Sequence, residues 1–161
     1  QGHALESVPL TPADQPTVGI EADVDFGYDS DTGALLVATN IAASSHGVCA
    51  ILSDHTVKCW GSNDAGALGI GMQDGAPGVL HVGVATSEMG DALRRVLLPA
   101  PAVDTMPLDI YGGGRTVCAK LSNLDLYCWG SNAYGQLGLG AADDDAQDPW
   151  LPPWPQPPRP R

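Results

Sequence analysis

The four cysteines are the residues of this chain best suited to chemistry: Cys49 and Cys59, then Cys118 and Cys128, each pair ten residues apart. Disulfides, buried free thiols and metal ligation are all open to such pairs. Zinc sites generally use closer pairs such as C-x2-C, often completed by histidine. His46, His55 and His81 lie in or near loops and have no counterparts in the second copy. The disulfide reading therefore leads, with buried thiols as the alternative and metal ligation last. Disulfides would place the protein in an oxidising compartment, either extracellular, periplasmic or an organelle lumen such as that of the thylakoid.

Other candidate chemistry is thinner. Asp143, Asp144, Asp145 and Asp148 form an acidic cluster. A calcium ion needs six to eight oxygens held in a defined loop, and the cluster lacks the D-x-D-x-D-G order of an EF-hand, so it reads as a solvated acidic loop. The chain has no G-x-S-x-G, H-E-x-x-H or P-loop sequence, and Ser45 and His46 are neighbours in sequence only. No catalytic, cofactor-binding or metal-binding residue is assigned, and the chain reads as a non-enzyme.

The elements that must position the cysteines occur twice. Val48-Cys49-Ala50-Ile51-Leu52-Ser53 leads to Cys59-Trp60-Gly61-Ser62-Asn63 and Gly66-Ala67-Leu68-Gly69-Ile70-Gly71. Val117-Cys118-Ala119-Lys120-Leu121-Ser122 leads to Cys128-Trp129-Gly130-Ser131-Asn132 and Gly135-Gln136-Leu137-Gly138-Leu139-Gly140, offset by 69 positions throughout. Each copy reads as a hairpin. Turn-tolerant Ser53-Asp54-His55 is followed by the β-forming Thr56-Val57-Lys58-Cys59-Trp60. A turn centred on Asp54 sets Cys59 opposite Cys49, and one centred on Asn123 sets Cys128 opposite Cys118. Opposed residues share a face at short separation, a geometry that admits a disulfide. Upstream, Ile41–Ser45 and Ile110–Gly114 read as further strands ending in small residues. Downstream, the repeated glycines, with Asn63 and Asn132, supply turns.

Segment 92–99 reads as an outer strand of the first unit, with a short helix as the competing assignment. Alternation over 18–26 reads as an N-terminal strand. No outer strand follows Gly140. About four short antiparallel strands per unit is the content of a propeller blade, and a repeat of this kind buries its apolar face only by stacking on a copy of itself. The expected fold is all-β, two propeller-type blades with extended Pro-rich ends. The expected boundaries are 1–35 for an N-terminal extension, 36–104 and 105–140 for the two units, and 141–161 for the tail.

Composition agrees with this reading. Twenty glycines, 14 prolines and one phenylalanine in 161 residues imply many turns and little helix. The net charge of -12 and pI near 4.3 disfavour nucleic acid and anionic membrane surfaces as partners. No apolar run approaches the roughly 20 residues of a membrane span. No basic region precedes an apolar stretch in the manner of a signal peptide, and a start at Gln1 suits a processed or partial chain.

The Cys-Ala … Cys-Trp-Gly-Ser-Asn … Gly-x-Leu-Gly blocks at 49–69 and 118–138 resemble the repeat of the regulator-of-chromosome-condensation family, the second copy more closely. The paired cysteines resemble the variant seen in bacterial secreted proteins and large algal repeat proteins. The resemblance covers roughly 36 to 140. It implies a β-propeller of typically seven blades, of which two are present. It also suggests nucleotide-exchange or chromatin roles, which the acidic surface and short arc disfavour.

The tail from 148 to 161 carries seven prolines with Trp150 and Trp154. It favours polyproline II and contains P-x-x-P spacing without the arginine an SH3 ligand wants. Two tryptophans are a large apolar load for a solvated segment. Trp150, Leu151, Trp154, Arg159 and Arg161 are therefore the candidate partner-binding residues. The expected role is a structural or accessory subunit that docks on a larger protein assembly through open blade faces and this tail. One such setting is an extrinsic lumenal subunit of an algal photosynthetic complex. Self-association through open blade edges is a further expectation. Direct membrane insertion, nucleic acid and cofactors are not expected. The alternative is a fragment of a secreted seven-bladed propeller that binds a protein through rim loops.

Overall fold

The computed structural model describes residues 23–71, 80–98 and 105–139. Two antiparallel sheets make up the described fold. The first contains β1 (Ala38–Ala43), β2 (Gly47–Leu52), β3 (Val57–Ser62) and the short β4 (His81–Val82), in that spatial order. The second contains β5 (Pro107–Gly113), β6 (Thr116–Leu121) and β7 (Leu126–Gly130). This is an all-β arc of two propeller-type blades. Among the described residues the second blade has three strands, and the outer edge of β7 carries no fourth.

The two blades are built by the same local devices. The β2–β3 register sets Cys49 opposite Cys59, and the β6–β7 register sets Cys118 opposite Cys128. Each hairpin turn is held by a side-chain oxygen that accepts the N–H two residues on, Asp54 from Thr56 and Asn123 from Asp125. The residue between lies in the left-handed region at His55 and Leu124 (φ 62° and 73°). Beyond the hairpins, Asn63 Oδ1 accepts the Leu68 N–H at 3.1 Å and Asn132 Oδ1 accepts that of Leu137 at 3.0 Å. The inner strands share a register shift, at Ala38/Asn40 in β1 and at Pro107/Asp109 in β5.

The outer part of the first blade differs from the sequence expectation. The described part of segment 92–99, residues 92–98, is not a continuous strand. Gly90–Ala92 is a 3-10 turn, and Arg95 alone makes a bridge to Lys58. The upper outer position is taken by β4, beside Gly61 and Ser62. Between them the Glu88 carboxylate accepts the N–H groups of Gly83, Val84 and Ala85, which turns the chain away from the sheet. The expected N-terminal strand over 18–26 lies partly outside the described residues. Its described part is not strand, and a lone bridge joins Tyr28 to Leu35. Asp25 and Asp91 explain this: their carboxylates accept the Gly27 and Tyr28 N–H groups, diverting the backbone from a ladder.

One core joins the blades. Cys49, Ile51, Val57, Cys59, Leu68, Ile70 and Val96 of the first blade pack on Ile110, Val117, Ala119 and Trp129 of the second. Alternation along each strand fixes this arrangement. Cys49 and Ile51 point to one side of β2, while Val117 and Ala119, equivalent to Val48 and Ala50, point to the other side of β6. The contact is therefore head-to-tail. Polar links cross it at Trp129 Nε1–H to Ala67 O (3.0 Å), Ser45 N–H to Gly114 O (2.8 Å) and Arg115 to Asp64 (3.0 Å).

The remaining face of the first blade is also covered. Phe26, Leu36 and Leu93 pack on Ala50 and Leu52, with Trp60, Val82 and Met89 at the margin. Phe26 meets Trp60 edge-on with ring centroids 5.6 Å apart. Lys58 lies buried beneath this cover, and its ammonium donates to Phe26 O at 2.7 Å and Gly90 O at 3.0 Å. Burial holds the Lys58 pKa below the ordinary lysine value, with the Arg95 charge adding to the effect.

Candidate functional site, the open face of the second blade

Duplication makes each residue of the first blade a control for its partner in the second. The face of the first blade that meets the second has Val57 at 1% exposure and Ile70 at 5%. Their equivalents in the second blade, Leu126 and Leu139, are 61% and 45% exposed. Tyr111, equivalent to the half-buried Ala42, is 56% exposed. The buried Cys49–Cys59 pair corresponds to Cys118–Cys128, which is only half-buried. Gly69 is crowded, since a Cβ there would lie 2.9 Å from both Trp129 and Val96; the same atom at Gly138 would meet nothing within 4 Å. The face that the first blade buries is thus uncovered, among the described residues, in the second.

Lys120 stands where the first blade has Ile51, opposite Leu126 of β7 and Asp109 of β5.

Both cysteine pairs are disulfides, Cys49–Cys59 with Cα atoms 4.1 Å apart and Cys118–Cys128 at 4.0 Å. No cysteine is free. The first disulfide is part of the core between the blades, and the second lies on the open face. His46 and His55 occupy turns, whereas His81 is in β4. No group of three or more His, Cys, Asp or Glu converges on a metal-sized space among the described residues. The acidic cluster Asp143, Asp144, Asp145 and Asp148 and the partner-binding candidates Trp150, Leu151, Trp154, Arg159 and Arg161 lie outside the described residues. No described helix is long and apolar enough to cross a membrane.

Sequence reasoning did not pick out Tyr111, Lys120 or Leu126 as surface-forming residues, or Phe26 and Leu36 as a cover. The signal for the first three was present. An Ile51/Lys120 pair is an apolar-to-charged exchange at a core position of an otherwise closely repeated block, which marks one copy as facing something else.

Two segments match two family models that share the description regulator of chromosome condensation (RCC1) repeat: residues 38–67 and residues 125–157. Both segments are thus similar to RCC1 repeats. The second RCC1 match runs past Leu139 and takes in much of the tail. No curated protein sequence matches the chain. Among solved structures, human WBSCR16 is similar with a TM-score of 0.51 and 20% identity, over 67% of this chain and 25% of that one. Yeast RCC1 (Prp20), in a crystal with Kap60, gives a TM-score of 0.47 and 24% identity, over 74% of this chain and 28% of that one. A second crystal structure of Prp20p from Saccharomyces cerevisiae gives 0.46 and 22%, over 72% and 28%. The chain thus spans about a quarter of the length of these solved proteins, and the likeness to WBSCR16 is one of fold.

Proposed function

We propose that this RCC1-repeat chain is a non-enzymatic interaction module, a structural or accessory subunit that docks on a larger protein assembly. The docking surface is the open face of the second blade together with the tail residues Trp150, Leu151, Trp154, Arg159 and Arg161. The carrying observation is the contrast between Val57 and Ile70, buried in the first blade, and Leu126 and Leu139, exposed in the second. An apolar face of this kind is costly to leave in water and is the usual core of a protein interface. The net charge of -12 argues against a nucleic-acid partner. Two disulfides support an oxidising compartment. An extrinsic position on the lumenal side of an algal photosynthetic complex is the specific setting we favour.

Isolation from the native source under mild conditions, followed by the mass of the intact particle, tests this reading. A large particle of fixed stoichiometry is expected. A lone species near 16.6 kDa would contradict it.

A second reading has its own support. The chain covers only 25% of WBSCR16, so it can be one piece of a full propeller that binds a protein target through rim loops. The genomic sequence separates the two: further repeats in the same reading frame favour the piece, and an isolated two-repeat gene favours the subunit.

A further inference from the structure

We propose that the cover around Phe26 is a built-in cap over a second blade-binding face. Without the cap, that face would accept the open face of another copy of this chain.

The contact between the two blades supplies the template. The second blade packs on the first through Ile110, Val117, Ala119 and Trp129. Their equivalents in the first blade are Ile41, Val48, Ala50 and Trp60, identical at all four positions. The register sets Ile41 opposite Ala50 and Val48 opposite Trp60, so the four share one side of the sheet, away from the second blade. The receiving side of the template is repeated too. Cys49, Val57, Gly69 and Ile70 recur as Cys118, Leu126, Gly138 and Leu139, with Lys120 in place of Ile51. One molecule therefore carries both halves of its own blade-to-blade contact, one on each blade. A head-to-tail contact of this kind adds copy after copy unless its rotation closes a ring. Lys120 makes the contact between copies weaker than the internal one.

The cover blocks this contact. Phe26, Leu36 and Leu93 occupy Ala50 and Leu52, and Phe26 meets the Trp60 ring that would otherwise pack on a neighbouring blade. Beyond the reach of the cover, Ile41 is 61% exposed, whereas Ile110 is 5% exposed. Lys58 makes the face specific for its cover. It stands where the second blade has Tyr127, and its buried ammonium donates to Phe26 O at 2.7 Å and Gly90 O at 3.0 Å. An apolar blade face in place of the cover would leave that ammonium without acceptors, so the cover is preferred. The two parts of the cover are joined by Gly90 N–H to Asp25 O at 2.9 Å and Tyr28 N–H to Asp91 Oδ1 at 2.8 Å. Gly27 permits their close approach, since a Cβ there would lie 2.6 Å from Asp91 N. With the cap in place the open face of the second blade is kept from other copies and left to a different partner. The inference rests on the two faces and not on the identity or existence of that partner.

The test is sedimentation velocity on the oxidised full chain alone. Wild type should run as single chains. Phe26→Asp with Lys58→Tyr removes the apolar anchor and the clamp, and gives the face the residue that the second blade uses. The average mass of this variant should rise with concentration, by about twofold or more. Adding Leu126→Asp should return it to single chains. Wild type mixed into the variant should lower the average mass, because a capped copy can end a stack but not extend it. Gly27→Ala with Lys58→Tyr displaces the cover without adding charge. It should assemble in the same way, and serves if the first variant does not fold. Slow amide exchange along β6 shows that the blades persist. Variants that stay single chains with β6 protected would overturn the inference. So would assembly that survives Leu126→Asp, which would mean non-specific association, or assembly of the wild-type chain. Because no partner is present, the result is separate from the native-particle measurement, and either can fail without the other.

Discussion

The Trp129 indole N–H donates to Ala67 O at 3.0 Å, tying the second blade to the Gly-rich turn of the first. Trp60, its equivalent, is half-buried and meets Phe26 instead. The same residue type therefore joins blade to blade at one position and blade to covering segment at the other. Trp129→Phe should cost about 1–2 kcal/mol in the stability of the full chain, through the orphaned carbonyl and the lost ring. Trp60→Phe should cost less. Chemical denaturation of the two variants checks the order.

Gly112 and Gly113 are adjacent but differ in surroundings. A Cβ at Gly112 would lie 2.3 Å from Ala43 O, whereas one at Gly113 meets nothing within 4 Å. Gly112→Ala should force the blades apart and cost about 1–3 kcal/mol. Gly113→Ala should stay within about 0.5 kcal/mol of wild type. Thermal unfolding of both variants measures the difference.

The two disulfides should differ in accessibility. Cys49–Cys59 is buried between the blades, and Cys118–Cys128 lies half-buried on the open face. Under limiting dithiol reductant followed by alkylation, Cys118 and Cys128 should be labelled first. Replacing either pair by serine should cost about 2–3 kcal/mol for a loop of this size. Equal labelling of the two pairs would show that the blades separate readily.

Lys58 gives a pH dependence with a definite sign. Its folded-state pKa is lowered from 10.5, chiefly by burial. Between that lowered value and 10.5 the unfolded chain binds more protons than the folded one, so this group's contribution to stability increases as pH rises through the window. Below the folded pKa both states are protonated and the contribution is flat. Lys58→Met should remove this dependence. It should also cost about 2 kcal/mol near neutral pH, because Phe26 O and Gly90 O lose their donor. Stability curves of wild type and variant from pH 7 to 11, taken as a difference, check both effects.

Much of the fold was legible from the duplication. Two copies with the same Cys-to-Cys spacing set the hairpin register, and the structure places Cys49 opposite Cys59 and Cys118 opposite Cys128 as the spacing required. Ile41 and Ile110 likewise fell on the inner strands. Neighbouring structure was harder to read because its cause is not periodic. In its described part the expected strand over 92–99 shrinks to the Arg95 bridge, because the 3-10 turn Gly90–Ala92 takes its start and the Leu97 N–H is given to Gly69 O rather than to β3. The alternation leading to Phe26 suggested a strand, yet Asp25 and Asp91 hold that backbone by side-chain bonds. The site was least legible. Which face of each hairpin meets its neighbour depends on how the blades stack, so the exposure of Leu126 and the burial of Lys58 emerge only from tertiary structure.

Hydrogen exchange on the chain alone and within its native particle tests the central claim most directly. The account predicts that peptides covering Tyr111–Gly113 and Leu126–Trp129 exchange more slowly in the particle, while β2, already buried between blade and cover, changes little. Equal exchange of Tyr111–Gly113 and Leu126–Trp129 in both states would contradict the assignment of the second blade's face as the docking surface.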